Sequence, residues 1–412
     1  MAARQAAPDP AAPTWGLFGL FLARLTLNTS FRIIYPFLPS IARGLGITLA
    51  QASALVTLRM TSALFAPLLG AFADRFGRRR TMALALGLFT LAALSLAGLR
   101  TLPAAVVAFA LFGLAKMLYD PAVHAYLGDA VPYHQRGRAI GALELSWSAA
   151  WLVGVPASGV LIERFGWQAP WAVLIILGVG SLGLTLASLP VDHQEVGRGS
   201  QRQILAETLA VWRVLLRRRD VQALLATSFC LVLAMETPFI VYGGWLETAF
   251  GLSLSTLGLA SAVVGLAEAA AELGSASFTD RLGKRRSALL GLLGLAVSLL
   301  ALPWLAGLGL TGALVGVACI VVTFEFAIVS ILPLATELAP TSRASLMALN
   351  MTAIAAARVV GALLGAWLWG WGSIVPHAVV GALCAVLGAA AARGGLREIG
   401  QPVAAKRLPH GR

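Results

Sequence analysis

Ionisable side chains stand inside apolar runs of this chain, where hydrocarbon would otherwise surround them. Arg24, Asn28 and Arg32 recur every four residues, which places them on one flank of a helix. Lys116, Asp120 and His124 repeat the spacing, and Lys116 and Asp120 are set to pair at i, i+4. Glu144, Trp147, Ser148 and Trp151 share a face, while Arg59, Glu236, Glu325 and Arg358 each stand near the middle of an apolar run. A charge at mid-bilayer costs about 2.5–3.5 kcal/mol on insertion scales, so such a residue faces a polar cavity or a partner. Desolvation favours the neutral form of a carboxyl group. That makes Glu236 and Glu325, which have no partner in their own helices, the first proton-carrier candidates, with Asp120 and Glu144 next. Trp147 and Trp151 offer aromatic surface to an amphipathic molecule; packing or interface anchoring is the alternative. Lys116–Asp120 also reads as internal glue, and Arg32 as a side chain snorkelling to the interface. Glu268 and Glu272 read as structural or interfacial.

The elements that must carry these residues are membrane helices. The chain of 412 residues is 58% hydrophobic and 12% charged, a composition of polytopic membrane proteins. Apolar runs long enough to span about 30 Å fall at 14–39, 48–72, 81–100, 103–130, 138–163 and 169–190, then at 221–248, 254–279, 287–306, 309–337, 344–370 and 373–392. This gives an all-α protein of twelve transmembrane helices. A bundle over 14–190 and a second over 221–392 are joined by a polar linker, 191–220, and flanked by tails at 1–13 and 393–412. Tyr35-Pro36-x-x-Pro39 in the first span and Thr237-Pro238 in the seventh put helix-bending prolines at similar places in the two sets.

Lys and Arg set the orientation. Arg4, the arginines of 75–80, Arg136, Arg138, those of 198–219, the bases of 281–286, Arg343 and those of 393–412 all fall on one side. The other side has Arg43, Arg100 and Arg164. Both tails and the linker are therefore expected in the cytoplasm, in a multi-pass plasma-membrane protein. The net charge of +13 is topological and does not imply nucleic acid. Cys230, Cys319 and Cys384 are scattered through apolar runs and read as packed thiols, with no metal-ligand spacing.

Two segments repeat at half the chain length. GAFADRFGRRR (Gly70 to Arg80) returns as GSASFTDRLGKRR (Gly274 to Arg286), with Asp74 and Asp280 206 residues apart. Asp129, Pro132, Arg136 and Arg138 are echoed by Glu337, Pro340 and Arg343. Such duplication is the architecture of secondary transporters. Both turn segments resemble the loop 2–3 signature of the major facilitator superfamily and its weaker copy in loop 8–9. The resemblance implies two pseudo-symmetric six-helix bundles and a cytoplasmic gate. That gate would be built from Gly70, Asp74, Arg75, Gly77 and Arg78, and from Asp280, Arg281, Gly283 and Lys284. Asp129 with Arg136, and Glu337 with Arg343, look like the family's helix 4–5 and 10–11 charge clasps. Two departures stand out. Phe109 occupies the place where the family's proton-driven exporters carry an arginine, and their Gly-Pro-rich stretch is reduced to VGVPASG (153–159).

These readings converge on a secondary transporter working by alternating access. The overall pattern is similar to the drug and sugar efflux branch, which implies proton-coupled export of small amphipathic organic compounds by a monomer in the lipid bilayer. Cavity candidates are Arg24, Asn28, Arg32, Arg59, Lys116, Asp120, Glu144, Trp147, Trp151, Glu236, Glu325 and Arg358. The arginines leave open an anionic or lipid-like substrate, taken up or flipped. A receptor or scaffold ranks lower. No phosphate-binding Gly-x4-Gly-Lys-Ser/Thr loop, metal spacing or nucleophile with an evident base occurs, so the reading is not an enzyme and needs no cofactor.

Overall fold

In the computed structural model, residues 14–62, 76–190, 209–339 and 342–396 are described. The first half comprises α1a (Thr14–Arg32), α1b (Ile34–Leu45), α2 (Leu49–Thr61), α3 (Arg78–Gly98), α4 (Leu102–Ala130), α5a (Tyr133–Ala149), α5b (Val155–Phe165) and α6 (Ala169–Ser188). The second comprises α7a (Arg219–Phe239), α7b (Tyr242–Phe250), α8 (Leu254–Leu282), α9 (Lys284–Ala306), α10 (Leu310–Leu338), α11 (Arg343–Trp369) and α12 (Val375–Gly395). Ten described helices are long and apolar enough to cross a membrane, and eleven if the bent α1 pair is one span. α2 covers the first part of the expected second span, 48–72; residues 63–75, with Gly70, Asp74 and Arg75, lie outside the described residues.

Prolines account for the two broken spans. α1a and α1b meet at 62°, because Pro36 has no N–H for the Arg32 carbonyl one turn back. α7 breaks at 240–241, just beyond Pro238. Pro238 likewise leaves the Ala234 carbonyl without its helical donor, and Gly381 of α12 packs so close that a Cβ there would stand 2.8 Å from that oxygen. The fifth span carries a π-helical turn, Ala150–Gly154, between α5a and α5b. Its last two residues, Val153 and Gly154, open the VGVPASG stretch. Gly154 lies so close to Thr29 of α1a that a Cβ would fall 2.4 Å from its hydroxyl. Phe109 is buried in an aromatic column, 6.4 Å from Phe112, which stacks on Trp171 at 5.4 Å. Packing has taken over the position where a charge was looked for.

The same pairings recur in both halves: first span on sixth and seventh on twelfth, first on fifth and seventh on eleventh, third on fourth and ninth on tenth. Between the halves α2 packs on α11 and α5b on α8, two contacts that exchange under a twofold operation, while α1b packs on α7b across the axis. The duplication is also visible in single atoms. Gly77 and Gly283 precede α3 and α9 with φ of 91° and 86°, a left-handed setting that glycine adopts at little cost. Arg78 then reaches Asp129, and Lys284 reaches Glu337. Arg79 donates to the carbonyl of Leu186, and Arg285 to that of Arg393.

The turns at 46–48 and 251–253 share one end of the bundle, called here the Gly46 face; Gly77 and Gly283 share the other. Among the described residues, the tightest backbone approaches between the halves lie from the middle to the Gly46 face. A Cβ at Gly243 would fall 1.9 Å from the Pro36 carbonyl, one at Gly159 2.5 Å from that of Leu254, and one at Gly265 2.6 Å from Trp151. Small residues of this kind let membrane helices touch through their backbones. Arg43–Glu247 at 2.8 Å and Glu163 accepting from the Ser255 amide at 2.6 Å close the rim. Gly243→Ala is expected to destabilise the fold by about 1–3 kcal/mol through overpacking, seen as a lower unfolding temperature in detergent. Gly87→Ala, with nothing within 4 Å of the added carbon, should shift it by no more than about 0.5 kcal/mol.

Candidate functional site

Lys116, Glu268 and Glu325 stand at or within one residue of the midpoints of 29-residue helices. Charges at this depth are held by one another, and they fall into three groups.

The first group lies wholly in the first half. Arg24 of α1a grips Glu144 of α5a with both terminal nitrogens, at 2.8 and 3.0 Å, and lies 3.6 Å from Asp120 of α4. Lys116 pairs with Asp120 at 2.8 Å, one turn along its own helix, and donates to Asn28 at 2.7 Å. Asn28 passes the chain to Ser146 at 2.9 Å, and His124 meets Glu144 at 3.1 Å. The Lys116 ammonium also sits 4.3 Å from the centre of the Trp147 ring, a cation–π distance. Two fixed bases face two acids, so the group is balanced.

The second group bridges the halves. Glu236 of α7a accepts from Tyr35 of α1b at 3.0 Å and pairs with Arg358 of α11 at 3.2 Å. The Tyr35 hydroxyl in turn accepts from Arg358 at 3.4 Å. Arg59 of α2, 1% exposed, lies beside them with its guanidinium 3.9 Å from the centre of the Phe31 ring; its one hydrogen bond is a long 3.5 Å contact with the Phe31 carbonyl. Its Nε and Nη2 have no partner among the described residues.

The third group also bridges the halves. Arg32 of α1a pairs with Glu268 of α8 at 2.6 Å while lying over the rings of Trp147 (4.6 Å) and Trp151 (5.1 Å). Glu272, one turn beyond Glu268, and Glu325 of α10 share the electrostatic neighbourhood of this pair. Arg32 is in contact with Glu268, while Glu272 and Glu325 stand nearby without an ion pair of their own among the described residues. Trp151 is fully buried and meets Phe239 of α7a edge-on at 5.8 Å.

The structure thus brings all twelve cavity candidates toward one central region. It also recruits residues that the sequence did not single out for it. Tyr35 stood out only as part of a proline motif, and Ser146 lies off the stripe drawn through Glu144 and Trp151. Glu268 was read as structural, although its spacing of four from Glu272 was a signal of a common flank. At the Gly77 face, the bond from Arg78 Nε to Asp129 is 3.3 Å, and Arg136 donates to the Val131 carbonyl at 2.9 Å. Asp280 and Arg281 lie in the last turn of α8, and Arg343 opens α11 as an exposed residue. Among the described residues no three His, Cys, Asp or Glu side chains are placed to hold a metal ion.

Removing one member of a buried pair leaves the other uncompensated, at about 3–5 kcal/mol. Lys116→Met is expected to destabilise the protein on that scale. Lys116→Met combined with Asp120→Asn should recover much of the loss, as a thermal-unfolding double-mutant cycle would read.

The family described as Major Facilitator Superfamily matches residues 20–362 and 224–407. The chain is 24% identical over 273 residues to an uncharacterized MFS-type transporter, YwfA, of Bacillus subtilis, covering 66% of each chain. It is 26% identical over 289 residues to a multi-drug resistance efflux pump PmrA homolog of Lactococcus lactis, covering 65% of this chain and 66% of the relative. Such matches span somewhat less than two thirds of these relatives' own lengths. In three dimensions it is similar to the crystal structure of a D-xylose-proton symporter, with a TM-score of 0.76 at 17% identity over 94% of this chain and 99% of the other.

Proposed function

The chain belongs to the major facilitator superfamily, and from that premise we propose that it is a secondary active transporter that expels small amphipathic organic compounds in exchange for protons. The observation that carries the proton half is the surplus of carboxylates around Arg32. Glu268 uses the guanidinium directly. Glu272 and Glu325 are then acids held at membrane depth without a base each, and a proton is the cheapest compensation for such a group. They are the carriers in this reading. Glu236 is engaged by Tyr35 and Arg358, and Asp120 and Glu144 by Lys116 and Arg24.

The Gly77 face is the cytoplasmic one in this reading, because bases crowd it. The close approaches near the Gly46 face then describe a molecule closed to the outside. Protonation of Glu272 and Glu325 removes negative charge from around Arg32, the residue that ties α1a to α8 through Glu268, and so loosens the two halves at their centre. The paired contacts of Arg78 with Asp129 and Lys284 with Glu337 brace the helix turns on the cytoplasmic side. Efflux as the direction is supported by the relative named as a multi-drug efflux pump. A monomer suffices, since both bundles come from one chain.

Flux in proteoliposomes tests this. With the interior standing for the cytoplasm, acid outside should accelerate outward movement of an amphipathic probe several-fold. Glu325→Gln and Glu272→Gln should abolish the response to the gradient while leaving slow downhill exchange. Flux that ignores the gradient in the wild-type protein would remove proton coupling from the reading.

A further inference from the structure

We propose that Arg59 and Arg358 form a subsite for one negative charge on the transported compound, so that its substrates are amphipathic organic monoanions such as aromatic carboxylates. The word substrate rests on the transport reading above; the binding site does not.

The argument is one of charge and satisfaction. Among the described residues, Glu236 is the one carboxylate within 4 Å of either guanidinium, and it pairs with Arg358. Arg59 has none, and two of its three nitrogens are buried without an acceptor. Glu236 is taken by Arg358 and Tyr35, so Arg59 is left, among the described residues, without a carboxylate at contact distance in a place where water is scarce. Such a charge calls for a partner. A carboxylate matches the planar fork of a guanidinium with two parallel bonds, and the free Nε and Nη2 of Arg59 are donors of that kind.

The surroundings fit the rest of such a molecule. Arg358 keeps 35% of its side chain open, so entry is from its side, with Arg59 and Tyr35, both nearly inaccessible, as the floor. Phe31 lies under Arg59, and Phe239 is 5.2 Å from the Tyr35 ring, giving aromatic walls to an apolar body. Neither other group offers this. The Arg24–Lys116 group is balanced, and the Arg32 group is short of positive charge. An organic cation would add to the uncompensated charge, and a dianion would overshoot it.

The test is equilibrium binding to the full chain in lipid nanodiscs with no gradient, read by tryptophan fluorescence and by calorimetry. The probes are 1-naphthoate and its cationic counterpart 1-naphthylmethylamine. Naphthoate should bind saturably and resist competition by the amine. Arg59→Gln and, independently, the more accessible Arg358→Gln should each weaken naphthoate at least tenfold. Glu236→Gln releases Arg358 from its present partner and should tighten naphthoate several-fold; a purely structural glutamate would give the opposite sign. The proposal fails if naphthoate does not bind, if the amine displaces it, if both arginine variants bind it as the wild type does, or if Glu236→Gln weakens it. Naphthoate binding of the expected kind alongside flux that ignores a pH gradient would keep this subsite and discard proton exchange. Gradient-driven flux with no preference between the two probes would do the reverse.

Discussion

An ion at the centre of a hydrocarbon layer must be matched by another ion, a dipole or a proton, because no water is there to do it. That constraint organises this molecule. Each of Arg24, Arg32, Lys116 and Arg358 has a carboxylate within 4 Å, and the partner lies on a different helix for three of them. The pairs are thus also the ties between helices. Where they stay within one bundle, as from Arg24 to Glu144, they hold a body together. Where they cross, as from Arg32 to Glu268 and from Tyr35 to Glu236, they hold one state of two bodies that can part.

Much of this was legible in the chain. Ten of the apolar runs match described helices to within a few residues, since about 20 apolar residues leave little alternative to a membrane helix; the first helix pair runs on to Leu45, and the second run lies partly outside the described residues. The turn repeats located two of the positive-φ glycines, Gly77 and Gly283, because a glycine between an acid-arginine pair and a run of bases marks a turn at a helix start. The four-residue stripe of α4 foresaw the Lys116–Asp120 pair, found at 2.8 Å; that Arg24 of α1a would meet Asp120 and Glu144 was not contained in the stripe.

What stayed hidden depends on partners far away in sequence. Tyr35 and Glu236 are 201 residues apart, and Arg32 and Glu268 are 236 apart. No periodicity within one helix encodes which flank of another it will meet. Glu268 therefore read as structural, and Glu236, which has no partner in its own helix, is held by Tyr35 of α1b and Arg358 of α11. Asp129 illustrates the same limit: its sequence neighbour Arg136 was named as its clasp, and the side chain found on it is Arg78, 51 residues back.

The π-turn at Ala150–Gly154 bears on how such a helix can diversify. Taking in one residue beyond an ordinary turn rotates everything after it by about 100°. Glu144 and Trp147 below the slip, and Pro156 and Gly159 above it, consequently belong to separate registers of one rod. The lower register looks onto the ion pairs, and the upper one lies flush with α8. Mutations that retune what the lower stretch greets need not disturb the seam above, so a lineage could change its cargo and keep its seal.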